Sequence, residues 1–294
     1  MRLAFATDLH GREDFYKRLL EHAWRARLDA VILGGDLLPH GGEVVGLEDA
    51  AADVAYQASF VHVFLEPLLA QFARIAPSCR VLYVPGEHDW GASDAALGAV
   101  CDRGLLHALA GRRVEAPGGF ELVGCAWVPA LVHPILDRLR AEGPIPAPWP
   151  HAFASDGSGA KPVADTGAWL GGRADLAGEV SALPAPRVPA RTVLVSHAPP
   201  IGTRTDAESA GRHGGSVAVR AWLERVQPML ALVGHCADAP YRSGAVCDRV
   251  GATVVANPGQ GALAPHWIEL DLADPRAGVR HSVLGAERPF EPVG

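Results

Sequence analysis

Several features that mark special classes of protein are missing from this sequence of 294 residues. It contains five cysteines, an odd number, and no two of them stand in a CxxC spacing. A chain of this length buries enough apolar surface to fold without a disulfide scaffold. We therefore expect reduced thiols and a cytoplasmic protein.

Long apolar runs are missing as well. The first apolar stretch, residues 3–7, ends at Asp8 and is too short for the core of a secretory signal. The most apolar long segment, residues 54–76, is interrupted by Gln57, His62, Glu66 and Pro67. A membrane-spanning helix needs about 20 predominantly apolar residues, so we expect no membrane partner.

A surplus of positive charge is also missing, since the formal net charge at pH 7 is −7. The chain therefore lacks the basicity of a protein that binds nucleic-acid backbones in bulk, although this charge does not exclude a nucleotide substrate. Hydrophobic residues make up 49% of the sequence and charged residues 20%, which excludes a disordered chain.

What the sequence does contain is an alternation of short apolar runs with longer amphipathic stretches. The predicted strands of the first hundred residues are 3–7, 30–33 and 81–84, and the predicted helices are 13–27, 47–75 (broken near Pro67) and 93–103. A hairpin is predicted at 112–128. Further along the chain, the sequence predicts a helix at 216–226 and strands at 192–195, 229–233, 253–256, 266–270 and 279–283. This pattern predicts one α/β domain over residues 1–294.

The periodicity is lost between residues 129 and 189, which are rich in proline and glycine and contain one predicted helix at 173–182. A loop of this length is unusual within a compact domain. We interpret it as an insertion that forms either a lid or wall of a site or a plain surface excursion, and the sequence favours neither.

Acidic residues and histidines follow five of the predicted strands. These residues are Asp8 and His10, Asp36, Glu87 with His88 and Asp89, His197, and His235. In open α/β sheets, ligands bind outside the carboxyl ends of the strands, so these side chains are expected to converge. Carboxylates and imidazoles that converge predict a metal site.

Local spacing supports this prediction. Asp8 and His10 are two residues apart in extended chain and point to the same side. Glycines precede Asp36, Glu87 and His235 and allow tight turns near an ion. Each short motif is weak evidence alone, and the ordered set of five carries the prediction.

The ordered set resembles the calcineurin-like metallophosphoesterase superfamily, whose motifs run DxH, GD, GNH(D/E), H and GHxH. The sequence around residues 195–200 and 257–259 is similar to its small bacterial and archaeal branch. The resemblance implies a four-layer α/β/β/α sandwich of two mixed sheets with helices outside. It also implies two divalent metal ions (Mn, Fe or Zn), held by Asp8 and His10, by Glu87, His197 and His235, and by a bridging Asp36.

The resemblance further implies a phosphoesterase that acts on a small molecule, a phosphodiester or a nucleotide. A metal-bound hydroxide would attack phosphorus. His88 would stabilise the phosphoryl group or protonate the leaving alkoxide, and Asp89 would orient His88. Loop residues His40, His213, Arg204 and Arg212 are further candidates for substrate contact.

Two positions depart from the motifs of the superfamily. Glu87 stands where the motif has Asn, and Ala237 stands where it has the second His of GHxH. With three carboxylates, two divalent ions leave a net charge of about +1, which weakens attraction for a phosphate dianion. The missing imidazole predicts one weaker metal site, completed by water. These departures keep an alternative open, namely a weak or inactive relative that binds a nucleotide or a regulatory partner.

Overall fold

Two mixed β-sheets form the centre of the structure, a computed structural model that describes residues 1–145 and 150–289. The strands are Arg2–Ala6 (β1), Ala30–Leu33 (β2), Arg80–Tyr83 (β3), His107–Ala108 (β4), Arg113–Ala116 (β5), Phe120–Cys125 (β6), Val128–Pro129 (β7), Leu139–Arg140 (β8), Phe153–Asp156 (β9), Gly159–Pro162 (β10), Thr192–Ser196 (β11), Leu230–Val233 (β12), Cys247–Val250 (β13), Thr253–Ala256 (β14), Ile268–Asp271 (β15), Val279–His281 (β16) and Gly285–Glu287 (β17). One sheet has the order β17-β16-β15-β1-β2-β3-β4 and the other β13-β14-β12-β11-β6-β5.

Helices cover the outer face of each sheet. They are Glu13–Ala26 (α1), Leu47–Phe60 (α2), Glu66–Ile75 (α3), Asp94–Asp102 (α4), Thr166–Gly171 (α5), Leu176–Ser181 (α6), Val217–Val226 (α7) and Ala239–Ser243 (α8). Buried apolar residues of α1, α3 and α4 pack on the first sheet, and those of α6 and α7 pack on the second.

The residues of β2 show why the sheets form a sandwich. Val31 and Leu33 face the helices, whereas Ala30 and Ile32 face the other sheet, where they join Val195 in the central apolar core. Side chains alternate between the two faces of a strand, so a strand that is apolar throughout is buried on both faces. The four-layer α/β/β/α sandwich predicted for this chain is confirmed.

The long second helical segment differs from its prediction. No break occurs at Pro67, which lies in the first turn of α3, where a missing N–H costs little. A π-helical turn at Val61–Leu65 instead joins α2 to α3. Such a turn shifts the hydrogen-bond register by one residue, and Leu65 and Glu66 keep helical dihedral angles up to the proline.

The insertion at 129–189 has more regular structure than its composition predicts, although residues 146–149 lie outside the described part of it. It contains the paired strands β7 and β8, the hairpin of β9 and β10, and the short helices α5 and α6. The predicted helix at 173–182 corresponds to α6, and α5 was missed. Asp165 and Asp175 cap these helices by accepting from the N–H groups of Ala168 and Gly178.

Two further observations concern the helices and the cysteines. Among the described residues, the helices are too short or too polar to cross a bilayer. All five cysteines are free thiols in this structure.

Glu142 joins the insertion to the second sheet's helix layer. Its carboxylate accepts from Ser216 Oγ at 2.9 Å and from the N–H groups of Val217 and Ala218 at 3.0 and 2.7 Å, at the start of α7. The first N–H groups of a helix have no partner within the helix, and the helix dipole favours an acidic group there. The insertion is therefore tied to the body of the protein.

We predict that Glu142→Ala lowers the free energy of unfolding by about 1–2 kcal/mol, because it leaves these N–H groups without their acceptor. Urea denaturation measures this change. The matched control is Glu224→Ala in the same helix, which removes only an exposed i,i+4 pair with Arg220 and is expected to cost at most about 0.5 kcal/mol. Equal effects of the two substitutions would contradict this account of the insertion.

Candidate metal centre

The candidate site lies where the two sheets meet at the carboxyl ends of their parallel strands. β1, β2 and β3 lead into Asp8 and His10, into Asp36, and into Glu87 and His88, while β11 and β12 of the second sheet lead into His197 and His235. The side chains predicted to converge thus come from both sheets, because neither sheet alone supplies the full set.

The backbone at this edge is held in an uncommon conformation. Asp8, His10, Asp36 and His235 have positive φ angles of 55°, 45°, 51° and 65°. Only a few per cent of non-glycine residues adopt this region, and such strain is concentrated at functional sites. Hydrogen bonds of 2.9 Å from Asp8 N to Gly35 O and from His10 N to Asp36 O maintain these turns.

The glycines before the candidate ligands are needed mainly for space. A Cβ atom on Gly86 would lie 2.2 Å from Asp36 Oδ1 and 2.6 Å from His197 Nε2. A Cβ atom on Gly234 would lie 2.0 Å from Thr7 Oγ1. These positions therefore let the carboxylates and imidazoles approach each other across the loops, which refines the sequence interpretation that they only permit tight turns.

The structure brings the predicted metal ligands together in three overlapping groups whose donor atoms lie within 4.8 Å of one another. The groups are Glu87, His197 and His235; Asp8, Asp36 and His197; and His10, Asp36 and His88. The set predicted for the second ion is largely reproduced as one group. The set predicted for the first ion is divided, because His10 groups with Asp36 and His88 rather than with Asp8.

Glu87 lies between two histidines. Its Oε1 is 2.6 Å from His235 Nδ1, and its Oε2 is 2.7 Å from His197 Nε2. His197 Nδ1 is 2.7 Å from the carbonyl oxygen of Gly34, which directs Nε2 into the cluster. The residue that departs from the superfamily motif therefore hydrogen-bonds His235 and lies within ion-pair distance of His197.

Several buried side-chain atoms that could bind a metal ion have no hydrogen-bond partner. Within the described ranges these atoms are Asp8 Oδ2, His10 Nδ1, Glu87 Oε2 and His197 Nε2. Glu87 Oε2 and His197 Nε2 are close to each other, but not in hydrogen-bond geometry. A buried polar atom without a partner costs about 1–3 kcal/mol, so these atoms fit a site that a divalent cation would complete.

Burial and neighbouring charges shift the titration of these groups. Burial raises the pKa of Asp8 to about 6, and it lowers the pKa of His10 to about 4. For Asp36, burial opposes ionisation, but His88 and His197 hold its pKa well below its usual range. Burial likewise opposes the charge of His88, yet Asp36 raises its pKa to about 9.

The two residues predicted to act on the substrate have different partners from those expected. His88 Nδ1 is 2.6 Å from Asp36 Oδ2, and the backbone N–H of His88 donates to Asp36 Oδ1. The prediction that Asp89 orients His88 is wrong. Asp89 is fully buried and accepts from the N–H groups of Leu37, Leu38 and Gly86, because its side chain turns under the loops rather than toward the cleft.

A cavity of 440 Å³ adjoins the cluster at His235 and Ala237. Arg212, one of the predicted substrate-contact residues, lines this cavity, and so does Arg242. Asp238 is exposed and pairs with Arg242 at 2.8 Å. Ala237, which stands where the superfamily motif has histidine, thus lines open space beside the candidate metal centre.

Of the other predicted substrate-contact residues, one lies beside the cluster and two contact loop residues. His40 stacks beside His88, with ring centroids 5.5 Å apart. His213 Nδ1 is 2.8 Å from Asp206, and Arg204 donates to the carbonyl of Cys247. Those two side chains are therefore used to hold loops.

Sequence reasoning missed His133. It comes from the insertion, and its ring centroid lies 4.6 Å from that of His88. It follows no strand of the two main sheets and belongs to no motif, so the sequence carried no signal for it.

Comparison with known proteins agrees with this geometry. Residues 1–130 match the family model of the calcineurin-like phosphoesterases. One solved structure has a TM-score of 0.58 and 18% identity, and the match covers 96% of this chain and 98% of that one. The protein TT1561 of Thermus thermophilus has a TM-score of 0.52 and 16% identity, with 96% and 98% covered. A dimetal phosphatase from Danio rerio has a TM-score of 0.50 and 13% identity, with 98% and 96% covered.

None of the curated proteins matches the chain significantly. At such low identities the structural matches show the fold alone. Together with the family model over residues 1–130, they confirm the resemblance that the ordered motifs indicated.

We predict that Gly86→Ala abolishes metal binding, because the added methyl group would collide with Asp36 and His197. Calorimetric titration with Mn measures the loss. The matched control is Gly98→Ala in α4, where an added Cβ meets no atom within 4 Å. That variant should keep its metal affinity and gain up to about 1 kcal/mol of stability. Normal metal uptake by Gly86→Ala would show that this close approach is not needed.

We also predict that metal uptake at pH 7 releases protons. Burial disfavours the imidazolium of His197, but Glu87 and Asp36 raise its pKa well above the ordinary value of 6.5, so the metal-free ring is protonated at this pH. A cation that binds Nε2 must displace that proton, and affinity should fall as the pH is lowered. Calorimetry in two buffers of different ionisation enthalpy counts the protons. A binding enthalpy that is identical in both buffers would refute this prediction.

Proposed function

We propose that this protein is a metal-dependent phosphoesterase that hydrolyses a phosphodiester or a nucleotide. The observation that carries the proposal is the set of buried donor atoms without partners, on Asp8, His10, Glu87 and His197, at the carboxyl edge of two sheets. Protein interiors rarely retain such atoms unless a ligand or ion satisfies them. The match of residues 1–130 to the calcineurin-like phosphoesterases supports the same reaction class.

In the proposed reaction, Asp36 would help to hold both ions, and Glu87, His197 and His235 would hold the second. The bound ions would supply a water of lowered pKa and neutralise charge that develops on the phosphoryl oxygens. The charged ring of His88 carries a proton on each nitrogen; Nδ1–H is engaged by Asp36 Oδ2, and the proton on Nε2 remains for transfer. That proton would pass to the leaving oxygen as the bond between this oxygen and phosphorus breaks.

The charge of the site favours a diester over a monoester. Asp8, Asp36 and Glu87 are each at most 3% exposed, so their charges act on the ions without much screening by solvent. A substrate with one negative charge is better matched to the small remaining positive charge than a dianion is. The 440 Å³ cavity beside His235 also fits a small molecule better than a protein substrate.

One observation favours the alternative function. Glu87 contacts both His197 and His235, so the three side chains satisfy part of each other's charge without an ion. A protein that relied on these ion pairs would bind a nucleotide or a regulatory partner in the same cleft with little or no hydrolysis. Metal content and hydrolysis therefore distinguish the two candidates.

We predict that the purified protein retains a transition metal ion and, with added Mn, hydrolyses bis(p-nitrophenyl) phosphate faster than p-nitrophenyl phosphate. Asp36→Asn should lose the metal and reduce hydrolysis by at least about 10³-fold, since the carboxylate serves both ions. The matched control is Asp14→Asn, an exposed carboxylate in α1. Metal analysis and a screen of esters and nucleotides provide the measurements.

Two outcomes would contradict this proposal. Full activity in Asp36→Asn would exclude a shared metal ligand at this position. Retained metal without hydrolysis of any diester, monoester or nucleotide in the screen would favour the alternative function.

A further inference from the structure

The insertion brings a histidine to the edge of the proposed active site. His133 is 8% exposed, and its ring meets that of His88 edge to face, with centroids 4.6 Å apart and planes at 89°. His40 lies against His88 as well. His88 is therefore surrounded by imidazoles, and only His133 among these neighbours comes from the insertion.

The position of His133 is fixed by contacts between the insertion and the loop that carries His88. Asp137 accepts from the N–H of Gly91 at 2.8 Å and from the N–H and hydroxyl of Ser155 at 2.7 and 2.5 Å. The hydroxyl of Ser155 in turn accepts from the N–H of Ala92. Gly91 and Ala92 follow His88 by only three and four residues, so the two loops form one hydrogen-bonded unit.

Packing and charge strengthen this unit. Trp90, which is fully buried, packs with Ile135 and Phe153 of the insertion. Arg138 pairs with Asp94 at the start of α4. These contacts dock the described part of the insertion against the segment that follows His88.

The ring of His133 has one anchored and one free nitrogen. Nδ1 lies 3.2 Å from the N–H of Ile135 and 3.0 Å from its carbonyl oxygen. No hydrogen bond involves Nε2 within the described residues, and His133 belongs to none of the candidate metal groups formed by them. The neutral ring carries its proton on Nε2 when Ile135 N–H donates to Nδ1, and on Nδ1 when Nδ1–H donates to the Ile135 carbonyl. The charged ring carries both protons, so Nε2–H is a donor in the first and the charged form.

We propose that His133 binds substrate: its Nε2–H donates to a non-bridging oxygen of the phosphoryl group, beside His88. This inference rests on the proposed phosphoesterase function and adds a residue from the insertion to it. His133 transfers no proton in this role, because it holds the phosphoryl group while His88 serves the leaving oxygen. The insertion would thereby supply one of the groups that contact the ester.

The test compares His133→Asn with His151→Asn. Asn keeps a polar atom near the position of Nδ1 but does not reach as far as Nε2. His151 is an exposed histidine of the same insertion and serves as the matched control. The probe is inorganic phosphate, titrated calorimetrically into Mn-loaded protein, together with Mn affinity and the kcat and KM of diester hydrolysis.

We expect His133→Asn to bind phosphate about tenfold more weakly, which is the effect of losing one charge-assisted hydrogen bond. KM for the diester should rise, and the Mn affinity should stay that of the wild type. His151→Asn should match the wild type in every measurement. Unchanged phosphate affinity in folded His133→Asn, or a parallel loss of Mn, would overturn the proposal.

A second measurement needs no variant. In Zn-loaded wild-type protein labelled with ¹⁵N-histidine, the Nε2 resonance of His133 should shift when phosphate is added, and an unshifted resonance would overturn the proposal. Failure of the two ideas is distinguishable. If the wild type hydrolyses esters and His133→Asn behaves identically, the contact is wrong and the function stands. If phosphate binding depends on His133 but no ester is hydrolysed, the contact stands and the phosphoesterase function fails.

Discussion

The structure depends on holding three carboxylates close together inside the protein. Asp8, Asp36 and Glu87 are almost completely buried, where like charges repel strongly and each ion loses its hydration. The imidazoles of His88 and His197 offset part of this cost through contacts of 2.6 and 2.7 Å with carboxylate oxygens. Asp8 lacks such a contact, and its raised pKa expresses the part of the cost that these imidazoles leave uncompensated.

The rest of the fold provides the rigidity that this arrangement requires. Residues with positive φ, among them Asp36 and His235, cost about 1–3 kcal/mol each and persist only where their surroundings determine them. Here the turns follow strands that are buried on both faces, and side chains such as Phe5, Ile32 and Val195 form the core between the sheets. The apolar sandwich therefore stabilises the strained edge on which the proposed chemistry takes place.

Aspartates link the loops at this edge by accepting backbone N–H groups. Asp89 connects the loop after β3 to the loop after β2, and Asp137 connects the insertion to the loop that follows His88. The position of His88 is consequently set by three segments that are distant in sequence. This explains why the described part of the insertion, whose sequence has little periodicity, packs against the site.

Local sequence was sufficient for the features that depend on neighbouring residues. The apolar runs predicted an α/β domain, and the polar residues that follow them predicted which side chains converge at the strand ends, because strand burial is encoded within a few residues. The two-sheet sandwich was implied by the resemblance of the ordered motifs. Local sequence was insufficient where partners are distant. Whether Asp89 meets His88 or the backbone of Leu37, and whether Glu87 contacts His197, depends on how separate loops pack. The approach of His133 to His88 was decided by the tertiary structure alone, since it requires the insertion to dock through contacts such as that between Asp137 and Gly91, which no local pattern records.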